Sequence, residues 1–354
     1  MSSKSIPAIR LLNQRLTGAP LARPADVVGW FGAVQAQEYE HAKWALALRL
    51  APAAAHAGIE RAFEEGRILR THVMRPTWHF VSAADILWMQ ELTAPRVHAR
   101  MAPYNKQIGL TSKLFTRATA IFERSLRDRN YLTRQELADR LPAAGVTLGT
   151  RFAGIALAHV AMYAEVEGVI CSGPRRGREF TYALVSERAP GAKRLERDEA
   201  LAELATRYVR SHGPVTIRDF VWWSGLKTPD AKRGFEIARA RREDVDGIAY
   251  WTLGPSPRSR ASTGPLHLLP IYDEYLVAYR DRIAVPHVTP SAFSKAKAVV
   301  FQHAFVIDGQ VAGTWRTSRK EAGVRVDVTP LSRITRTERQ WLDAAIARYR
   351  AFLD

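Results

Sequence analysis

The 354-residue chain holds one cysteine, Cys171. A single thiol closes no internal disulfide and completes neither a cysteine zinc site nor an iron–sulfur cluster. That excludes a disulfide-stapled secreted scaffold and fits a reducing cytoplasm. No stretch approaches the ~18 apolar residues of a membrane span. Met1 to Arg10 lacks the charged-then-apolar order of a secretory signal. A soluble, intracellular protein without membrane contact is expected. Acidic residues are also scarce: 35 Asp and Glu stand against 52 Lys and Arg, for a net charge of +17. Such an excess suits a polyanionic partner, because each phosphate contact releases counterions. An Arg-rich soluble protein from a GC-rich coding sequence carries the same excess, and the abundant alanine keeps that alternative open. No low-complexity linker interrupts the chain. What is present is apolar content: 47 % of the residues are hydrophobic, enough for buried cores and against disorder. The length suits two to four domains packed in one body.

A pattern of helix, second helix and strand pair recurs. Its clearest copy starts at Thr133, which with Glu136 spells a capping box. A second, largely apolar helix spans Arg151 to Glu167. The β-rich runs Val169–Ser172 and Phe180–Leu184 then flank a Gly/Pro/Arg turn. This is the order of a winged helix. A second copy starts about 80 residues later, with Thr216 and Asp219 as the cap and a helix from Thr228 to about Arg242. Ile248–Leu253 is its strand. A third lies at the N-terminus: a helix from Leu21 to Val34, another from Ile59 to Glu65, and strands from Ile68 to Val81 bent at Arg75-Pro76. From about Leu266 the texture changes to strands Val299–Ile307, Val311–Arg316 and Val324–Val328, with an Asp308-Gly309 turn and a helix from Arg336 to Phe352. The expected fold is α+β and mainly helical. It comprises winged-helix units at 1–107, 108–190 and 191–265 and an α/β cap at 266–354.

Four blocks occur in order: Ala33-Val34-Gln35-Ala36-Gln37-Glu38 followed by Ala42 to Arg49; Arg70 to Phe80; His212-Gly213-Pro214 with Asp219 to Leu226; and Leu268 to Tyr275 with Arg280-Asp281-Arg282, closed by Asp308-Gly309 and Gly313 to Arg316. Together they resemble the helix-turn-helix family that contains the bacterial AlkZ-type DNA glycosylases, and the resemblance covers nearly the whole chain. It implies three winged-helix units around duplex DNA and hydrolysis of the N-glycosidic bond of N7-alkylated guanine, bulky adducts and crosslinks included. The Gln-x-Gln branch is similar to genotoxin-resistance enzymes. The resemblance therefore makes Gln35 and Gln37 the candidate catalytic pair.

Residues two apart face the same way on a strand or an irregular turn, not on a helix. Gln35 and Gln37 are thus expected where helix gives way to strand or loop, both facing one cleft. An amide has one acceptor and two donors but no usable pKa near neutrality, so it is no general base. It can fix a water and support a developing positive charge. That suffices when the leaving group is already cationic, as N7-alkylguanine is, because bond cleavage then releases a neutral base. The bland alternative places both glutamines as solvated residues at a helix end.

Candidate DNA contacts in the matched blocks are Lys43, Arg49, Arg70, His72, Arg75, Trp78, His79, Arg282 and Arg316. Trp78 can stack on a base or wedge a step, or it can fill a β core. Arg175, Arg176 and Arg178 crowd a hairpin tip where a wing meets phosphates, or where a turn meets solvent. Lys227, Lys232, Arg233, Arg239, Arg241 and Arg242 follow Gly225, on a helix that is either a recognition helix or a solvated face. Asp273, Glu274, Arg280 and Arg282 suggest a structural ion-pair network or an added carboxylate at the site. His72 and His79 lack metal-ligand neighbours, so no metal and no organic cofactor is expected. The expected partner is double-stranded DNA carrying alkylated purines, bound by a cytoplasmic, nucleoid-associated monomer. A winged-helix transcription regulator and a damage binder without turnover are the non-enzymatic alternatives.

Overall fold

A computed structural model describes residues 2–51, 56–149, 153–254, 266–280, 302–320 and 323–353. The elements in chain order begin with α1 (Ile6–Asn13), α2 (Pro24–Phe31), β1 (Ala33–Gln35), α3 (Tyr39–Ala47) and α4 (His56–Glu64). Next come β2 (Ile68–Val73), β3 (Arg75–Ser82), α5 (Ile86–Gln107), α6 (Ser112–Ser125), β4 (Leu132–Thr133), α7 (Arg134–Arg140) and α8 (Ala153–Val166). After β5 (Ile170–Ser172) and β6 (Thr181–Leu184) follow α9 (Arg197–His212), α10 (Ile217–Ser224), α11 (Thr228–Ile237), β7 (Arg241–Val245) and β8 (Ile248–Thr252). The chain closes with β9 (His267–Leu269), α12 (Glu274–Val277), β10 (Ala304–Ile307), β11 (Gln310–Lys320), β12 (Gly323–Pro330) and α13 (Arg336–Leu353). This is the expected α+β fold, rich in helix. No described helix is long and apolar enough to cross a membrane.

The chain forms two compact units: Met1–Ile59 with Ala202–Trp223 and Lys227–Asp354, and Glu60–Leu201 with Ser224–Leu226. In the first, β9 to β12 make an antiparallel sheet in the order β12-β11-β10-β9. Asp308 and Gly309, at φ 49° and 76°, supply the left-handed pair that a tight β10–β11 turn demands. A Cβ at Gly309 would stand 2.6 Å from the Tyr275 hydroxyl, so a larger residue does not fit. Helix α13 seats aromatics on this sheet and on α3: Tyr349 lies 5.0 Å from Trp44 and 4.9 Å from Trp315 between ring centroids. Arg348 also donates to the Ala47 and Leu48 carbonyls that α3 leaves open at its C-terminus.

The second unit surrounds a core that includes Phe115, Phe122, Leu137, Val160 and Ile170. Thr133 accepts from the Glu136 N–H at 3.2 Å, and Glu136 accepts from the Thr133 N–H at 2.7 Å. The capping box that opens α7 is therefore complete. Thr216 and Asp219 repeat it at the start of α10 in the first unit. Strands β2 and β3 pair antiparallel, with Arg70 opposite Phe80 and His72 opposite Trp78, and turn through Met74 at φ 63°.

Three expectations need correction. The helix expected over Leu21–Val34 is confined to Pro24–Phe31, because Gly32 at φ 86° stops it and frees Ala33–Gln35 to become β1. Helix α11 ends at Ile237 rather than near Arg242, since Arg239 turns left-handed and Arg241 and Arg242 enter β7. Helices α5 and α6 were not anticipated; α5 carries Pro95 and Pro103 inside its 22 residues and shows no clean apolar stripe. The start of the strand expected over Val299–Ile307 lies outside the described residues.

Candidate active site

Both candidate glutamines belong to the first unit. Gly32 ends α2, and the next three residues form the buried strand β1. Gln35 is its last residue and is buried; Gln37, two positions on, is half-buried and precedes α3. The spacing argument is met locally, since the pair straddles the end of a strand. The backbone is held from behind the sequence by residues far along the chain. Glu274, 1 % exposed, accepts the Gln35 N–H on Oε1 at 2.8 Å and the Trp223 indole N–H on Oε2 at 2.9 Å. His212 places Nε2 3.4 Å from the same carboxylate, and its ring stacks on Tyr208 at 4.5 Å. Burial lowers the His212 pKa, against the opposing pull of Glu274.

The neighbouring acid has a different task. Asp273 caps α12 by accepting the Tyr275 N–H, and it takes both terminal nitrogens of Arg49 at 2.8 Å. Arg49 further donates to the Gln14 and Ala45 carbonyl oxygens and to the Gln14 side chain. The result is a buried ion pair whose lone pairs and protons are largely matched, the condition under which such pairs fix geometry. Acid and base groups thus anchor main chain around β1, and Gln35 and Gln37 supply amides at its end. That arrangement can order a water and stabilise positive charge; two amides offer no proton acceptor of useful basicity.

A profile of the AlkZ-like DNA glycosylases matches residues 28–352. The chain belongs to the AlkZ-like DNA glycosylase family. It is a DNA glycosylase, and DNA is its substrate. It is 28 % identical over 337 residues to the interstrand DNA cross-link repair glycosylase of Streptomyces sahachiroi, covering 90 % of this chain and 89 % of that protein. The solved structure of the Streptomyces sahachiroi DNA glycosylase AlkZ superposes at a TM-score of 0.80 with 25 % identity, over 99 % of this chain and 97 % of the other.

Several residues assigned to DNA contact from sequence have other work. Arg49, 1 % exposed, is engaged by Asp273 and Gln14 and is corrected to a structural clamp. Lys43 is also buried, with its ammonium 2.6 Å from the Glu40 carboxylate and 3.2 Å from His56 Nε2, so it too is withdrawn from the DNA surface. In the second unit, His72 is bonded through Nδ1 to the buried Glu165, and its ring packs on Trp78 at 4.5 Å. His79 donates from Nδ1 to the Thr77 carbonyl and accepts an Arg75 N–H on Nε2. Both histidines are buried and bonded within the protein, which overturns their assignment to phosphate.

Arg70 lies 8 % exposed between two rings, 4.3 Å from Trp78 and 4.7 Å from Phe180, so Trp78 stacks on an arginine here. Arg75 and Trp78 are half-buried. At the hairpin tip, Arg176 pairs with Glu136 at 2.8 Å; the Thr133 N–H, and after it Arg176, pulls the Glu136 carboxyl down to about 2. Arg175 stacks on Phe180, whereas Arg178 is exposed. Arg316, with 83 % of its side chain exposed, faces Asp327 across β11 and β12. Arg282 lies outside the described residues. Sequence reasoning gave His212 and Trp223 no role beyond their place in a matched block. Their presence in the same matched block, together with the paired acids Asp273-Glu274, was the available signal.

Proposed function

We propose that this DNA glycosylase is monofunctional and hydrolyses the N-glycosidic bond of N7-alkylated guanine, in bulky adducts or interstrand crosslinks, working as a monomer with water as the nucleophile. The observation that carries the reading is the Glu274-anchored strand ending in Gln35, with Gln37 half-exposed two residues on. N7 alkylation makes the base cationic. When the C1′–N9 bond breaks, its electron pair neutralises the imidazolium ring, and the base departs without a proton. The sugar becomes oxocarbenium-like; a water held by Gln37 attacks C1′ and releases its proton to solvent. Gln35 supports the cationic sugar through its carbonyl dipole. An unalkylated purine would need protonation, which neither amide supplies. The Streptomyces relative's name, a cross-link repair glycosylase, supports the choice of bulky and crosslinked substrates. In this reading the helix–helix–hairpin segments at 1–107, 108–190 and 191–265 are winged-helix units that grip the duplex.

The test is single-turnover excision on duplexes carrying N7-methylguanine, a bulky N7 adduct or an N7 crosslink. Gln35→Ala and Gln37→Ala should each slow base release by at least ~100-fold, the usual cost of a positioned transition-state contact, with duplex affinity retained. Wild-type-like rates for both variants, or no release from any of the three substrates, would overturn the reading.

A further inference from the structure

Within the first unit, three arginines converge on one indole. Arg15 follows α1 in a left-handed turn at φ 57°, and Arg207 and Arg210 lie one turn apart on α9. The guanidinium of Arg15 stands 4.3 Å from the centroid of Trp30, and that of Arg210 stands 4.6 Å from it. Arg207 packs its stem beneath Gly32, 3.5 Å from where a Cβ would sit. Arg207 is engaged by Glu203, which accepts from its Nε at 2.7 Å. Among the described residues, no carboxylate lies within ion-pair distance of Arg15 or Arg210. The Nε of Arg15 is moreover buried without a hydrogen-bond partner.

Stacking on Trp30 holds the guanidinium planes in place, but it does not cancel the repulsion among them. The pKa of Arg210 is depressed, first by desolvation and then by Arg207 and Arg15, against the opposing pull of Glu203. A cluster of this kind is completed by an anion with several acceptor oxygens, and planar guanidinium forks match phosphate geometry. What is special here is that Arg15 and Arg210 face one ring with no carboxylate at ion-pair distance among the described residues. Trp30 sits in α2, which passes through Gly32 directly into β1 and Gln35. The geometry points to Arg15, Arg207 and Arg210 as a clamp for a backbone phosphate of duplex DNA, with Trp30 as the ring that keeps the clamp open. The inference rests on DNA as the substrate, not on the choice of N7-alkylguanine. A phosphate held there is tied, through the five positions from Trp30 to Gln35, to the residue that carries the candidate chemistry.

The experiment measures binding of the full chain to an undamaged duplex over a range of KCl, so that it stands or falls independently of the lesion. Losing one phosphate contact flattens the log–log salt slope by about 0.9. Arg15→Gln/Arg210→Gln should flatten it by about that much, Arg210→Gln by a measurable part of it, and Arg210→Lys should keep the wild-type slope. Arg210 is exposed, so the single variant decides the matter if the double variant does not fold. Coincident slopes for wild type and Arg210→Gln overturn the clamp. A thermal gain in inorganic phosphate that the double variant loses, while DNA slopes coincide, assigns the site to a free anion and overturns it equally.

Discussion

Glu274→Gln is the most incisive single perturbation of the candidate site. The substitution keeps shape and volume but exchanges one acceptor oxygen for a donor NH2. In the wild type both oxygens accept, one from the Gln35 N–H at 2.8 Å and one from the Trp223 indole at 2.9 Å. The glutamine can satisfy only one of them; the other N–H must face a donor in a site that is 1 % exposed. A charge-assisted bond is worth ~1.5–3 kcal/mol, and an unsatisfied buried donor costs a further ~1–3. Removing a buried negative charge offsets part of this, leaving a net loss of about 2–4 kcal/mol. Trp223→Phe removes the opposing indole donor, so in the double variant the amide carbonyl is free to accept from Gln35 without a donor–donor clash. The double variant should therefore be less destabilised than the sum of the singles, by ~1–3 kcal/mol. Urea unfolding supplies the cycle, and single-turnover excision reads its consequence for Gln35. Glu274→Gln should slow excision at least ~10-fold, because a misplaced catalytic group of ~1 Å costs up to ~100-fold, and the double variant should recover part of the rate. Additive stabilities, or a Glu274→Gln enzyme with the wild-type rate, would refute the anchoring role.

Two further outcomes follow from titration. His267, buried on β9 with Nε2 unpartnered, is pushed down to about 4, chiefly by desolvation and then by Arg348 and Arg49. The unfolded chain, near ~6.5, takes up the proton first, so stability is complete above that pH and falls as pH drops toward 4. At ~1.4 kcal/mol per unit the group accounts for ~3 kcal/mol; His267→Asn should flatten urea-unfolding stability between pH 7 and 4 by that order, and parallel curves would dismiss it. Gln37→Asp puts a carboxylate beside the proposed oxocarbenium, so excision of N7-methylguanine should survive but acquire an acid limb a little above ~4 that the wild type lacks. A matching limb in the wild type, measured by single-turnover rates across pH, would assign the chemistry to an ionisable residue instead.

The legible parts of this fold were those written locally. Thr133 with Glu136 and Thr216 with Asp219 announce helix starts within four residues, and both boxes form. Asp308-Gly309 announces a turn because few residues accept the left-handed backbone there. The place of Gln35 and Gln37, where helix gives way to strand and loop, also followed from a local rule, the side-chain periodicity. Helix α5 escaped because Pro95 and Pro103 contradict a helix that tertiary packing nevertheless sustains. The buried cations escaped for a different reason. Arg49 finds Asp273 across 224 residues, and Gln35 finds Glu274 across 239, separations over which a charge in the sequence gives no sign of its partner. Basic residues in a matched block thus looked like phosphate ligands, although Arg49 and Lys43 are occupied inside the protein.

That misreading bears on how an amide pair can serve as catalytic equipment. A general base brings its own reactivity through its pKa, whereas an amide contributes only where its dipole is placed. Placement is therefore the quantity the surrounding residues must supply, and here they use ionised groups to do so. Asp273 and Arg49 tie α12 to the chain after α3, while Glu274 ties the next residue along to the backbone of β1. Buried ion pairs of this sort add little net stability over apolar packing, but breaking one partner leaves an uncompensated charge. A shift of β1 away from Glu274 would strand that carboxylate, so the register of Gln35 is enforced by the penalty for leaving it. On this argument Asp273, Arg49 and Glu274 act on the protein rather than on the sugar. Under the proposed mechanism the positive charge needed for bond cleavage arrives with the damaged base itself, which would confine the enzyme to lesions that are already cationic.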